Sequence, residues 1–175
     1  MRTRTMTLVA LLTALLCLAG PLTLPVGPVP ASLLSAALLL TACLLGEKAT
    51  LCCLVYLLLG LTGLPVLSGF TGGVAHMVGP TGGFLLGYLP MTYVAGAICR
   101  RTNMRLLQAC GLLLGTLILY AAGSAWYCLQ SGVSLSGALA VCVWPFLPID
   151  LGKIGVVAAF GPGLKARLRK AGVLP

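Results

Sequence analysis

Two charged residues, Asp150 and Lys153, lie inside an otherwise apolar stretch, WPFLPIDLGKIGVVAAF, residues 144–160. An ionisable side chain at membrane depth costs about 2.5–3.5 kcal/mol on insertion scales, so each needs a partner, a cavity or water. Three residues apart, the two are neighbours on one face of a helix. That spacing suits either of two chemistries. One is a mutually neutralising pair that fixes packing. The other is a polar anchor for a ligand, with Asp150 accepting hydrogen bonds and Lys153 donating them. Pro148, as a candidate first helical residue, would put Asp150 in a first turn, where the helix dipole favours a carboxylate.

A second stretch invites the same question. SGFTGGVAHMVGPTGGF, Ser68 to Phe84, holds six glycines and the chain's only histidine but no charge. It reads either as a plain re-entrant turn or as a loop that closes over a cavity. In the second case its glycines let backbone approach a ligand closely. His76 alone reads as a satisfied polar loop residue, and no metal site is expected, since metal binding would need partners that the sequence does not show.

The elements that must position these residues follow from composition. The chain has 175 residues, 59% hydrophobic and 7% charged, against roughly 25% charged in soluble domains. It is expected to be an all-α integral membrane protein with a single domain over 1–175, because no polar stretch is long enough for a second one. Four prolines between Gly20 and Pro30 interrupt the first uncharged region, since no helix carries such a run. Glu47 and Lys48, the cluster Arg100, Arg101 and Arg105, and the final GPGLKARLRK mark further boundaries. The expected spans are about 6–20, 31–46, 49–64, 81–99, 106–128 and 137–161, the last broken near Pro145 and Pro148. The basic, apolar N-terminus is read as the first span rather than as a cleaved signal.

Six spans put both termini on one side, and ten of the eleven basic residues then fall on that side. The opposite loops, about 21–30, 65–80 and 129–136, contain no charged residue. The positive-inside rule therefore places both termini in the cytoplasm. The net charge of +9 reads as cytoplasmic flank in contact with anionic lipid headgroups, and nucleic acid is excluded as a partner. The eight cysteines are scattered through apolar runs without metal-ligand spacing and read as small buried hydrophobes. Two acidic residues in total leave no carboxylate pair for membrane-embedded catalysis. DLGKI lacks the Ser or Thr and the earlier glycine of a nucleotide-binding loop. No enzyme activity is expected, and any ATP hydrolysis must come from another chain.

LPVGPVP at Leu24 to Pro30, LVYLLLGLTGLPVLSGFTGG at Leu54 to Gly73, GPTGGFLLGY at Gly79 to Tyr88 and DLGK at Asp150 to Lys153 together resemble the BioY family. Its members are the biotin-binding S components of energy-coupling factor transporters in the cytoplasmic membrane of prokaryotes. The resemblance implies a six-helix bundle of the S-component type, with a biotin pocket near the outer surface lidded by the first and third outer loops. It further implies a transmembrane coupling subunit (T component) and two ATP-binding cassette ATPases as partners, with biotin as ligand and no cofactor. Asp150 and Lys153 would then meet the ureido ring, or Lys153 the carboxylate. Phe84, Tyr88 or Trp144 would cover the apolar remainder, while Gly72, Gly73, Gly82 and Gly83 let the loop close. His76 and Met77 depart from the smaller or aliphatic residues expected there. In VALLTALL, Ala10 and Ala14 form a small-residue face bordered by Leu11 and Thr13, which either packs within the bundle or docks on the coupling subunit. A stand-alone facilitator, or an S component for another vitamin, is the alternative reading.

Overall fold

The computed structural model describes residues 3–24, 31–102 and 104–174. Arg2 and most of the proline-rich first loop, residues 25–30, lie outside them, and with the loop lies the expectation that it forms a lid. The first helix, α1 (Thr3–Ala19), stops where Gly20 and Pro21 begin. Short strands β1 (Thr23–Leu24) and β2 (Ala31–Ser32) pair antiparallel, with Thr23 opposite Ser32, and so close the base of that loop.

The chain then turns through α2 (Leu34–Leu45), a single 3-10 turn at Gly46–Lys48, and α3 (Ala49–Leu61). Gly46 holds φ +64, a left-handed conformation that suits glycine. Its carbonyl lies so close to Gly96 that a Cβ there would overlap it. A short α4 (Val74–Val78) precedes α5 (Gly82–Arg101) and α6 (Arg105–Ser131), which ends on left-handed Gly132. Thus α1, α2, α3, α5 and α6 fall within a few residues of the expected spans. The break expected near Pro145 and Pro148 in the sixth segment, 137–161, is present: α7 (Leu135–Cys142) and α8 (Leu147–Lys170) are parted at Val143–Phe146, and α8 runs on past 161. Pro145 and Pro148 lack the N–H that continuous helix needs, and Pro148 instead sits in the first turn of α8, as does Asp150. The stretches Leu34–Leu61, Gly82–Arg101, Arg105–Ser131 and Leu147–Lys170 are long and apolar enough to cross a membrane, and α1 is shorter.

Contacts sort these helices into two ends. At one, Tyr56 Oη donates to Val66 O at 2.9 Å, Gly69 N to Pro21 O at 3.3 Å and Ser32 Oγ to Gly20 O at 3.4 Å. At the other, Arg4 reaches Gly172 O at 3.3 Å, Arg100 meets Glu47 at 3.3 Å and Lys165 donates to Cys99 O at 3.1 Å. Both termini of the described chain are therefore at the same end, and the basic clusters are there with them.

The core runs through Leu16, Leu38, Leu39, Tyr56, Met91 and Leu112, all inaccessible or nearly so. The joint between α5 and α6 is built on glycine. A Cβ on Gly83 would overlap Trp126, one on Gly123 the Phe84 ring, and one on Gly111 the Ile98 side chain. Small residues let two helix backbones approach where lipid supplies no hydrophobic drive for association. All eight cysteines are free, and five of them are buried.

Candidate functional site

Between the helices at the charge-poor end lies a cavity of about 610 Å³, including its mouth. Its polar wall is made by the first turn of α8 facing the start of α2 and the middle of α6. Asp150 and Lys153 are one turn apart, with Lys153 Nζ 2.9 Å from Asp150 Oδ1. The same ammonium donates to Ser32 O at 3.0 Å and to Ser35 Oγ at 2.9 Å, which uses all three of its N–H groups. Tyr120 Oη donates to Asp150 Oδ2 at 2.7 Å. The carboxylate is 8% exposed as a residue yet among the described residues holds only these two side-chain bonds, against about four lone-pair directions. It keeps acceptor capacity toward the cavity. The apolar wall comes from Phe84, Leu85 and Tyr88 of α5, Leu119 of α6 and Phe146.

Of the residues expected from sequence, Asp150, Lys153, Phe84 and Tyr88 converge on this cavity. The others do not line it. Trp144 is 72% exposed, and Phe146, two residues on and 7% exposed, takes the inward position instead, because the break before α8 turns the intervening backbone. Gly82 and Gly83 are buried against the Met77 carbonyl and Trp126, so their lack of a side chain serves helix packing. Gly72 meets the backbone of Gly63 and Leu64. Gly73, at φ +94, turns the chain into α4 and donates to Gly60 O at 2.8 Å. Ala10 and Ala14 are exposed on α1 while Thr13 is buried. That geometry removes packing within the bundle as the reason for the small-residue face.

Sequence reasoning missed Tyr120, Ser32, Ser35 and Phe146. A signal for the first was present, since a tyrosine buried in an apolar helix needs a partner for its hydroxyl. Tyr120→Phe is expected to leave Asp150 one donor short and to cost about 1–2 kcal/mol, read as a lower melting temperature. Unchanged melting would separate Tyr120 from the network.

His76 is a further correction. Expected as a satisfied loop residue, it lines the cavity, with Nδ1 3.2 Å from Thr71 Oγ1 and a buried Nε2 that has no partner among the described residues. Burial holds its pKa below the ordinary value. The folded chain therefore favours the neutral ring. The stability associated with it is whole above about pH 6.5 and is lost as pH falls through the depressed folded value. Melting curves taken from neutral to acid pH should show that fall, and His76→Gln should flatten it. Equal slopes in the two proteins would assign the titration elsewhere. Among the described residues no group of histidine, cysteine or acidic side chains is arranged to hold a metal.

Comparison with known proteins gives one answer throughout. The BioY family model matches residues 1–170. A probable biotin transporter BioY of Pyrococcus horikoshii is 36% identical over 154 residues, spanning 87% of this chain and 91% of the relative. The biotin transporter BioY of Rhodobacter capsulatus is 37% identical over 180 residues, spanning 94% and 92%. A crystal structure of the S-component for biotin from an ECF-type ABC transporter superposes with a TM-score of 0.87 at 30% identity, over 97% of this chain and 92% of that one. A family match over nearly the whole length, with the fold reproduced at that identity, places the chain in the BioY family.

Proposed function

We propose that this chain captures biotin in the cavity at its charge-poor end, as the substrate-binding component of an energy-coupled transporter. The observation that carries the reading is the cavity wall built by Asp150, Lys153 and Tyr120, in a family whose relatives carry the name biotin transporter. Biotin offers a ureido ring with two N–H donors, an apolar bicycle and chain, and a carboxylate. Lys153 is saturated by its three acceptors, whereas Asp150 is not. That balance favours Asp150 accepting from the ureido N–H groups, with Phe84, Tyr88 and Phe146 against the apolar part.

In this reading the helices cross the membrane six times, α2 and α3 forming a hairpin and α7 with α8 together completing the last crossing. The basic end, with both termini, is cytoplasmic, and the cavity opens outward. The membrane is the cytoplasmic membrane of a prokaryote. Ala10 and Ala14 dock on a transmembrane coupling subunit, which two ATPases drive.

Calorimetric titration of the purified protein tests the ligand. Biotin should bind, and thiamine and riboflavin should not. Biotin amide, which lacks the carboxylate charge, should bind within about threefold of biotin if the ureido ring faces Asp150. A much larger loss would reverse the orientation. Biotin uptake in cells with and without the coupling subunit and ATPases tests the assembly. Undiminished uptake without them would favour a stand-alone facilitator.

A further inference from the structure

The opposite end of the bundle holds a second cavity, of about 850 Å³ with its mouth, bounded by the N-terminal half of α1, the turn between α2 and α3, and the C-terminal parts of α5 and α8. Its lining is divided. Lys48, Arg100, Lys165 and Arg169 contribute cationic groups and Glu47 a carboxylate, while Leu8, Leu44 and Leu174 contribute apolar surface beside them. Lys165 is the unusual member. It is 8% exposed, and its Nζ has one protein acceptor among the described residues, the Cys99 carbonyl at 3.1 Å. Two of its three N–H groups are left to other partners.

The chain has two acidic side chains, and both are engaged: Asp150 with Lys153 at the far end, Glu47 with Arg100 at 3.3 Å. Among the described residues no carboxylate reaches Lys165, Lys48 or Arg169. A buried ammonium without a counter-charge is strongly disfavoured unless an anion comes to it. Lys165 and Arg169 also face a third cavity, between α8 and Gln108 of α6, so the two cationic groups are approached from both sides of α8.

We infer that this cavity holds the phosphate of one anionic phospholipid, with Lys165 and Arg169 as its principal donors and Lys48 beside them. The leucines decide the source of the phosphate. A free anion has no use for Leu8, Leu44 and Leu174, whereas the glycerol and first acyl carbons of a lipid lie next to its phosphate and would cover them. Basic pockets between transmembrane helices on the cytoplasmic side recognise such headgroups. The site is independent of what the other cavity takes.

Native mass spectrometry of the delipidated protein, titrated with phosphatidylglycerol, phosphatidylcholine or inorganic phosphate, tests the inference. One phosphatidylglycerol should be retained about tenfold more tightly than phosphatidylcholine. Lys165→Met and Arg169→Gln should each remove most of that preference, with the melting temperature recorded to confirm folding. Lys170→Gln, on the same helix but outside the cavity, should change it by less than about twofold. Equal retention of the two lipids overturns the inference. So does an unchanged preference in the two cavity variants, or an equal loss in Lys170→Gln, which would mark diffuse surface charge. Displacement of the lipid by inorganic phosphate alone would assign the site to a free anion instead.

Discussion

Lys153→Ala is expected to lower biotin affinity by at least about 100-fold and to lower the melting temperature as well, because removing one member of a buried ion pair costs about 3–5 kcal/mol. The ammonium is the node that joins α8 to the start of α2, bonding Asp150, Ser32 O and Ser35 Oγ within 2.9–3.0 Å. Without it the Asp150 carboxylate keeps only Tyr120, and the mouth of α2 is untied. Asp150→Asn should be comparably severe, since it leaves the lysine charge uncompensated. Neither single variant distinguishes a pair that merely holds helices together from one that also grips a ligand, because both would lose stability. The double variant Asp150→Asn with Lys153→Met does so. Replacing both charges by groups of similar volume is often neutral for stability, so its melting temperature should recover. Biotin binding, measured calorimetrically, should not. Affinity within about threefold of the parent in that double variant would return the pair to a purely structural role.

The second large effect concerns packing. Gly83→Val should prevent folding or destabilise by more than about 3 kcal/mol, since its Cβ would overlap Trp126 on a facing helix and the core has no room to yield. The overlap would push α5 from α6, displacing Phe84, whose ring rests against Gly123 at the cavity wall. Gly155→Ala is the contrasting variant. That glycine lies in α8 with nothing within 4 Å of the point where a Cβ would stand, and alanine is the better helix former by about 1 kcal/mol. Its melting temperature should hold or rise slightly. If Gly83→Val melted like the parent protein, the close approach of α5 and α6 would not be a requirement of the fold.

These two glycines are indistinguishable as letters, and the contrast shows what one dimension can carry. Where helices start and stop is legible, because a cluster of charges gathers at the ends of an apolar helix and a run of prolines stops one, whatever the neighbours are. Glu47 and Lys48 part α2 from α3, the arginines near residue 100 part α5 from α6, and the prolines after Gly20 end α1. The last segment reads in sequence as one span broken by prolines. It is two helices because Pro145 and Pro148 withdraw N–H donors at the very place where α8 begins. Asp150 and Lys153 are legible for a related reason: the cost of burying charge is intrinsic to the residue, and their spacing makes them neighbours without help from the rest of the chain.

What completes the site is not local. Tyr120 meets Asp150 across 30 positions and Ser32 meets Lys153 across 121, and such meetings depend on how each helix is rotated about its own axis. The same rotations turn Phe146 inward and Trp144 outward, bury Gly82 and Gly83 in a helix joint, expose Ala10 and Ala14, and bring His76 to the cavity. The sequence by itself determined which segments leave water and which two charges must find partners, since transfer free energies belong to residues. Only the tertiary structure decided which partners they found, because packing fixes the faces that helices present to one another, and those faces are set jointly by residues far apart in the chain.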